Sequence, residues 1–163
     1  MGTGKTTIAQ ALSGQRGMPY VSTDDMIEAS EKMSISEIFA KKGEAYFRQA
    51  EKNTVDKAAS MDNAVIDTGG GVVINEENVK RLKENGVVVC LWADPADIYE
   101  RTKRFTHRPI LRVDEPLKKI KELLETRRPY YERADYHVNT SAMKEAEVIG
   151  VISDHFDKLK KNR

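Results

Sequence analysis

The sequence predicts an α/β fold with three layers, in which helices flank a central parallel sheet. Two observations predict it. Helical and strand-like segments alternate along the chain, and a glycine-rich loop carrying a lysine opens the first helix. At 163 residues the chain has the length of one domain with a sizeable core, so we expect a single domain over residues 1–163.

The N-terminal loop reads M-G-T-G-K-T-T and matches the end of the pattern G-x-x-x-x-G-K-[ST] at Gly4, Lys5 and Thr6. Its glycines let consecutive backbone N–H groups turn toward a phosphate, and the following helix points its positive end at the same place. In this pattern the lysine reaches the β- and γ-phosphates and the hydroxyl binds Mg²⁺. The loop therefore predicts binding of a nucleoside triphosphate.

The first glycine of this pattern would lie before Met1. A phosphate-binding loop follows the C-terminal end of a strand, and that strand is normally central in its sheet. We therefore expect Met1 to be an internal methionine, with the first strand missing from residues 1–163 and the true start upstream.

Caps and apolar runs define the elements of the first half. An apolar face predicts a helix after the loop, and residues 18–22 read as a short strand. Ser34 and Glu37 have the spacing of a capping box, opening a helix that Gly43 ends, and a second helix is expected over 44–59. The apolar run 64–66 predicts a buried strand leading into Asp67 and three glycines.

In the second half, residues 75–85 predict a helix that stops at Gly86, before a strand at 87–92. Asp94-Pro95 opens another helix, because proline suits the first turn. Residues 102–115 are polar, basic and aperiodic, and a loop of this length in a compact domain tends to be functional. A helix at 116–134, a strand near 136–139 and an amphipathic helix from about residue 144 complete the chain.

Composition excludes several classes of protein. Lys and Arg (27) nearly balance Asp and Glu (26), which argues against a general nucleic-acid or membrane partner. The sequence shows neither a signal peptide nor an apolar run long enough to span a membrane, so we expect a cytoplasmic protein. No pattern in the sequence indicates an oligomeric state, and we expect a monomer. The single Cys90 rules out an intrachain disulfide and reads as a small buried hydrophobe.

Three clusters point to a small anionic substrate. Asp24 ends the second strand, where a carboxylate can accept a proton from a substrate hydroxyl, although it can equally serve as a helix N-cap. Arg48 and Glu51 are one helical turn apart, so the glutamate can hold the arginine for bidentate capture of a carboxylate; the alternative is an exposed ion pair. Gly69-Gly70-Gly71 gives backbone access to a ligand, or is a plain strand-to-helix turn.

Taken together, these motifs resemble those of the shikimate kinase family, and the resemblance extends over nearly the whole chain. The family's order is the phosphate-binding loop, T-D, G-E-x-x-F-R-x-x-E, G-G-G, R-P-[IL]-L and R-x-P-x-Y. In this chain the motifs are Gly4-Lys5-Thr6, Thr23-Asp24, Gly43-Glu44 through Phe47-Arg48 to Glu51, Gly69-Gly70-Gly71, Arg108-Pro109-Ile110-Leu111 and Arg127-Arg128-Pro129-Tyr130-Tyr131. The set is far more specific than any one member.

The resemblance implies a P-loop kinase fold and ATP-dependent phosphorylation of the 3-hydroxyl of shikimate, in the route to chorismate and the aromatic amino acids. The catalytic residues it implies are Lys5, Asp24 and Arg108, the last in a lid of about residues 102–115. For ATP it implies Gly2, Thr3, Gly4, Lys5, Thr6, Thr7, Arg101 and Arg108, with Arg101 beside the adenine and residues 140–144 on its other side. For shikimate it implies a region of about residues 23–60 together with later residues: Asp24, Arg48, Glu51, Gly69, Gly70, Gly71 and Arg127, with the two arginines on the carboxylate.

The chain departs from the family at Ser22, because members commonly carry D-x-D there and use the first Asp to position Mg²⁺ through water. Magnesium would then be coordinated by Thr6, the phosphates and water. We hypothesise that Asp67, after the buried run 64–66, supplies the carboxylate that Ser22 lacks. The alternative is that Asp67 caps the glycine turn.

Two other functions remain open. One is a kinase for another small hydroxy acid such as gluconate, against which the pair Arg48 and Arg127 argues, since two arginines suit one fixed carboxylate. The other is a non-catalytic binding domain derived from such a kinase. The chain retains all the residues that the chemistry needs, which argues against this alternative: Lys5, Thr6, Asp24, Arg48, Arg108 and Arg127.

Overall fold

The computed structural model describes residues 2–103 and 115–161. Its contacts divide the chain into two compact units, one formed by Met1–Ile8 with Val89–Arg163 and the other by Ala9–Val88. Helix α1, Lys5–Arg16, begins in the first unit and continues into the second. The expectation of a single domain stays a prediction.

The unit Ala9–Val88 contains two strands that pair in parallel. Its elements after α1 are β1 (Tyr20–Ser22), α2 (Thr23–Glu31), α3 (Ile35–Ala58), β2 (Val65–Asp67), a 3₁₀ turn (Val72–Ile74) and α4 (Glu76–Asn85). In the register of β1 and β2, Ser22 lies beside Asp67. The carboxyl ends of the two strands, and the polar residues that follow them, are therefore neighbours.

Side-chain caps set the helix boundaries in this unit. Ser22 caps α2 by accepting a hydrogen bond from the backbone N–H of Asp25 at 3.1 Å. Ser34 and Glu37 form the expected capping box at the start of α3. Gly43, with φ of 80°, interrupts α3, so two helices meet there as the sequence predicts. A core cluster of Ile27, Ile38 and Phe47 joins α2 to α3.

The other unit also contains two parallel strands. Its elements are β3 (Val89–Trp92), α5 (Pro95–Thr102), α6 (Pro116–Tyr131), β4 (Tyr136–Asn139) and α7 (Glu145–Lys161). Trp92 lies beside Asn139 at the ends of β3 and β4. Ala93, Ile98 and Ile120 form a core cluster that packs α5 against α6.

The α/β class with parallel strands is confirmed. Within the described residues the strands pair as two two-stranded sheets, β1 with β2 and β3 with β4. Strand β4 has the predicted limits, while β1 and β3 begin two residues later than expected. None of the helices in the described part of the chain is both long enough and apolar enough to cross a membrane.

Candidate active site

Arg48, in the second half of α3, is held by carboxylates on two sides. Its Nη1 donates to Oε2 of Glu51 at 2.9 Å, while Nε and Nη2 donate to Oε1 of Glu44 at 3.3 and 3.1 Å. The Glu51 side chain is 3% exposed, so this pair is not the exposed surface pair that the spacing alone allowed. A buried carboxylate of this kind needs its cationic partner, which fixes the guanidinium in place.

The guanidinium of Arg48 keeps donors for a ligand. It has five N–H groups, and its three bonds to other described residues leave one N–H on Nη1 and one on Nη2. Two terminal N–H groups suit bidentate binding of a carboxylate. A Cβ built on Gly71 would lie 2.6 Å from Nη1, so glycine is what allows the guanidinium to occupy this place.

The charge of Arg48 is secure in this environment. Burial lowers the pKa of the guanidinium, but hydrogen bonds and charge from Glu51, and then from Glu44, outweigh it and raise the pKa above its usual value. The guanidinium carbon also lies 5.3 Å from the centre of the Phe47 ring, a cation–π distance. The arginine is therefore a permanent cation at this site.

Asp24 lies in the first turn of α2, against the glycine turn that follows β2. A Cβ built on Gly69 would lie 2.7 Å from Oδ1 of Asp24, so only a glycine leaves room for the carboxylate there. Because Ser22 is the N-cap of α2, the interpretation of Asp24 as that cap is wrong. The Asp24 carboxylate thus lies directly against the backbone of the glycine turn.

Thr23 joins the start of α2 to the glycine turn and has no accessible surface. Its hydroxyl accepts a hydrogen bond from the N–H of Gly69 at 3.2 Å and donates to the carbonyl of Asp67 at 3.5 Å. From α4, the buried Asn78 donates to the carbonyl of Val72, just after the glycines, at 3.2 Å. Neither contact could be predicted from the sequence, because each joins residues on different elements.

Asp67 accepts a hydrogen bond from the Tyr20 hydroxyl at 3.2 Å. Burial, and then the charge of Asp67, raise the pKa of Tyr20, which keeps the phenol protonated as a donor. The Asp67 side chain therefore has a partner on β1, and its place beside Ser22 is set by the strand register.

The phosphate loop lies in the unit Met1–Ile8 with Val89–Arg163. Gly2 and Gly4 have φ of 66° and 85°, in the left-handed region that favours glycine, and α1 begins at Lys5. The first helical hydrogen bond runs from the N–H of Ile8 to the carbonyl of Gly4 at 2.9 Å. The N-terminus of α1, the end of a helix that favours an anion, therefore begins directly at this loop.

The start of the phosphate loop contacts the end of α5 and Thr140, the residue that follows β4. A Cβ built on Gly2 would lie 2.7 Å from Cγ2 of Thr102, so Gly2 packs closely on the end of α5. The carbonyl of Thr3 accepts a hydrogen bond from Oγ1 of Thr140 at 3.2 Å. Arg101 donates to Oγ1 and to the carbonyl of the same Thr140, both at 3.0 Å.

The chain is similar to known proteins over nearly its whole length. The family model for shikimate kinase matches residues 1–156. The chain is 43% identical over 159 residues to the shikimate kinase of Thermodesulfovibrio yellowstonii, covering 98% of this chain and 92% of that protein. The solved shikimate kinase of Acinetobacter baumannii, in complex with shikimate, is 33% identical, with a TM-score of 0.90 over 98% of this chain and 90% of the other.

This chain belongs to the shikimate kinase family. A second relative, the shikimate kinase of Thermoanaerobacter pseudethanolicus, is 44% identical over 161 residues, covering 99% of this chain and 94% of that protein. The resemblance stated from the motifs is thereby confirmed, and so is the shikimate kinase activity expected from it. The chain is a phosphotransferase that uses ATP, as members of this kinase family do.

The structure describes only part of the set of site residues predicted from the shikimate kinase motifs. Arg108, with most of the lid region, lies outside the described residues. Arg127 lies in α6 and is partly exposed.

Within the described residues no group of three or more His, Cys, Asp or Glu side chains could hold a metal ion. Burial raises the pKa of Cys90 to about 11, so its thiol stays protonated and has no nucleophilic role.

Proposed function

We propose that this chain transfers the γ-phosphoryl group of ATP to the 3-hydroxyl of shikimate. In this proposal Arg48 binds the substrate carboxylate, Asp24 takes the proton of the hydroxyl, and residues 2–7 bind the phosphates. The observation that carries the proposal is Arg48, held by Glu44 and Glu51 against Gly71 with one N–H left on each terminal nitrogen. A fixed, partly buried guanidinium is suited to one carboxylate of a small rigid acid. Shikimate carries such a carboxylate, and the solved relative from Acinetobacter baumannii was obtained with shikimate bound.

The acceptor side of the reaction is assigned to Asp24. The carboxylate orients the substrate hydroxyl and takes its proton as the bond to phosphorus forms. Its place beside Gly69 supports this role, because a ring hydroxyl can then meet both the carboxylate and the backbone of the glycine turn. Glycines 69–71 supply that backbone contact, and Arg127 is proposed as a second arginine for the substrate carboxylate.

The donor side is assigned to residues 2–7. The loop and the first turn of α1 bind the phosphates through backbone N–H groups, and the Lys5 ammonium neutralises charge on the β- and γ-phosphates. The left-handed φ values of Gly2 and Gly4 support this assignment. Arg101 is proposed to flank the adenine. Arg108 is proposed to close over the γ-phosphate from the lid, where exclusion of water suppresses ATP hydrolysis.

Magnesium is proposed as the cofactor, held by the Thr6 hydroxyl, the phosphates and water. The donor set fits this ion, since Mg²⁺ keeps several waters and takes few protein ligands. When bound, the ion neutralises charge that develops on the phosphates. Asp67 is proposed to hold one of the waters bound to the magnesium ion. The strand register, which puts Asp67 beside Ser22, supports this role because Ser22 occupies the position of the family's usual aspartate.

The experiment that tests this function is a coupled assay of ADP release with ATP, Mg²⁺ and either shikimate or gluconate. Shikimate-dependent release is expected, with none above background for gluconate. Shikimate methyl ester should be a poor substrate, because it lacks the charge that Arg48 binds. Release that depends on gluconate contradicts the proposal. A melting temperature raised by shikimate without ADP release would instead indicate a binding domain.

A matched pair of variants tests the assignment of Arg48. Arg48→Gln should raise the KM for shikimate by about tenfold or more, because it removes a charge-assisted bidentate pair. Arg81→Gln is the control, since Arg81 also pairs with two carboxylates, Asp56 and Glu84, but lies on α4. Equal effects of the two substitutions would show that Arg48 has no special place in substrate binding.

A further inference from the structure

Thr140, directly after β4, brings three parts of its unit together. It is 5% exposed. Its Oγ1 lies 3.0 Å from Nη1 of Arg101, 3.2 Å from the carbonyl oxygen of Thr3 and 3.0 Å from the carbonyl oxygen of Trp92. One buried hydroxyl thus meets α5, the phosphate loop and the end of β3.

The hydrogen bonds of this hydroxyl can be accounted for. A threonine hydroxyl has one proton to donate and two lone pairs that accept. One lone pair takes the Arg101 N–H, and the proton is shared between the two carbonyls. The carbonyl of Trp92 already accepts from the Thr140 backbone N–H at 2.8 Å, so the hydroxyl proton can serve Thr3 without leaving Trp92 unpaired.

These contacts close a ring. Gly2 packs on Thr102 at the end of α5, and Arg101 of the same helix donates to both Oγ1 and the carbonyl of Thr140. Thr140 in turn bonds to Thr3, the neighbour of Gly2. Arg101 therefore has a fixed place relative to the phosphate loop before any ligand binds.

We propose that Thr140 is a positioning residue for nucleotide binding, which holds the Arg101 guanidinium at a set distance from the phosphate loop. This inference rests on the proposed function in one respect, the assignment of Arg101 to a place beside the adenine. With both terminal nitrogens bonded to Thr140, the guanidinium is held in one plane, and Arg101 is exposed. A flat cation of this kind stacks on an aromatic base. Holding it in advance lowers the ordering cost of binding.

A purely structural role for Thr140 makes a different prediction. Loss of the hydroxyl would then lower the melting temperature and weaken the binding of every phosphate-loop ligand by the same factor. If Thr140 positions Arg101, loss of the hydroxyl should weaken the binding of a ligand that carries phosphates and a base. It should weaken the binding of a ligand that carries phosphates alone much less. ADP and inorganic tripolyphosphate are such a pair of probes.

The test compares Thr140→Val, which has nearly the same shape without the hydroxyl, with Thr140→Ser, which keeps it. Binding is measured by calorimetry and melting is recorded for each variant. Thr140→Val should raise the Kd of ADP by about tenfold, the effect of losing a hydrogen bond to a charged group, and that of tripolyphosphate by less than about threefold. Thr140→Ser should restore ADP binding. Thr126→Val, on the exposed side of α6, is the control and should change neither Kd.

Kinetics and a second variant complete the test. Thr140→Val should raise the KM for ATP while kcat and the KM for shikimate stay near the parent values. If Thr140→Val does not fold, Arg101→Lys replaces it, since one ammonium cannot donate to both Thr140 oxygens in the same plane. Equal losses for ADP and tripolyphosphate, or no loss, overturn the proposal. Tight ADP binding by the parent chain without shikimate-dependent turnover would contradict the proposed function but not this inference.

Discussion

The buried carboxylate of Glu51 accepts a hydrogen bond from Nη1 of Arg48 at 2.9 Å, one helical turn away in α3. The pair turns a flexible arginine into a fixed cation, because a buried carboxylate is costly without its charged partner. Glu44 adds two bonds at the other edge but is itself exposed. The two acids should therefore differ in their importance for shikimate binding.

Replacing Glu51 with glutamine should weaken shikimate binding. The amide keeps the shape but loses the charge that holds Arg48, so we expect the KM for shikimate to rise by about tenfold with the KM for ATP nearly unchanged. Steady-state kinetics at varied shikimate measure it. Glu77→Gln, which breaks an exposed pair with Lys52, is the control. A KM for shikimate that stays at the parent value would show that Arg48 needs no buried partner.

Gly71→Ala should damage the same site by a purely steric route. The backbone of Gly71 has φ of −96°, which alanine adopts freely, so the effect comes from the 2.6 Å approach of the new Cβ to Nη1 of Arg48. We expect the KM for shikimate to rise by about tenfold through overpacking. Gly150→Ala in α7, where a Cβ meets nothing within 4 Å, is the matched control and should retain full activity. Equal kinetics for the two variants would rule out the close approach.

Thr23→Val should destabilise the glycine turn. It removes the acceptor for the N–H of Gly69 in a fully buried place, and such a loss costs about 1–3 kcal/mol of unfolding free energy. Urea unfolding measures that loss, and Thr23→Ser should recover most of it. We also expect a lower kcat, since Asp24 and Gly69 depend on the same turn. Unchanged unfolding would mean that water serves Gly69 instead.

Asp67→Asn should raise the Mg²⁺ concentration needed for half-maximal turnover by about tenfold, as expected for loss of a carboxylate that orients a metal-bound water. Calorimetry of ADP with and without Mg²⁺ gives a second readout that does not depend on turnover. Tyr20→Phe is the control, because it removes the 3.2 Å hydrogen bond to Asp67 but leaves the charge. A magnesium requirement that does not change in Asp67→Asn contradicts the assignment.

Stability at high pH should report the buried thiol of Cys90. Burial raises its pKa in the folded chain from 9.0 to about 11, so the unfolded chain loses this proton first as the pH rises. The free energy of unfolding should therefore fall between pH 9 and about 11. Urea unfolding across this range, compared with Cys90→Ala, isolates the contribution. Parallel curves for the two proteins would contradict it.

The sequence by itself determined the features that depend on neighbours along the chain. The phosphate loop, the capping box of Ser34 and Glu37, the break at Gly43 and the spacing of Arg48 and Glu51 are all of this kind, because local backbone geometry brings residues at short separations together. The motif order, taken as a set, was enough to place the chain in its family.

Only the tertiary structure decided which alternatives hold. Burial of Glu51 excluded a surface ion pair, and Ser22 proved to be the N-cap in place of Asp24. Contacts such as Thr23 with Gly69, or Thr140 with Thr3, join residues 46 and 137 positions apart. No local pattern encodes such distances, because they are set by how strands and helices pack.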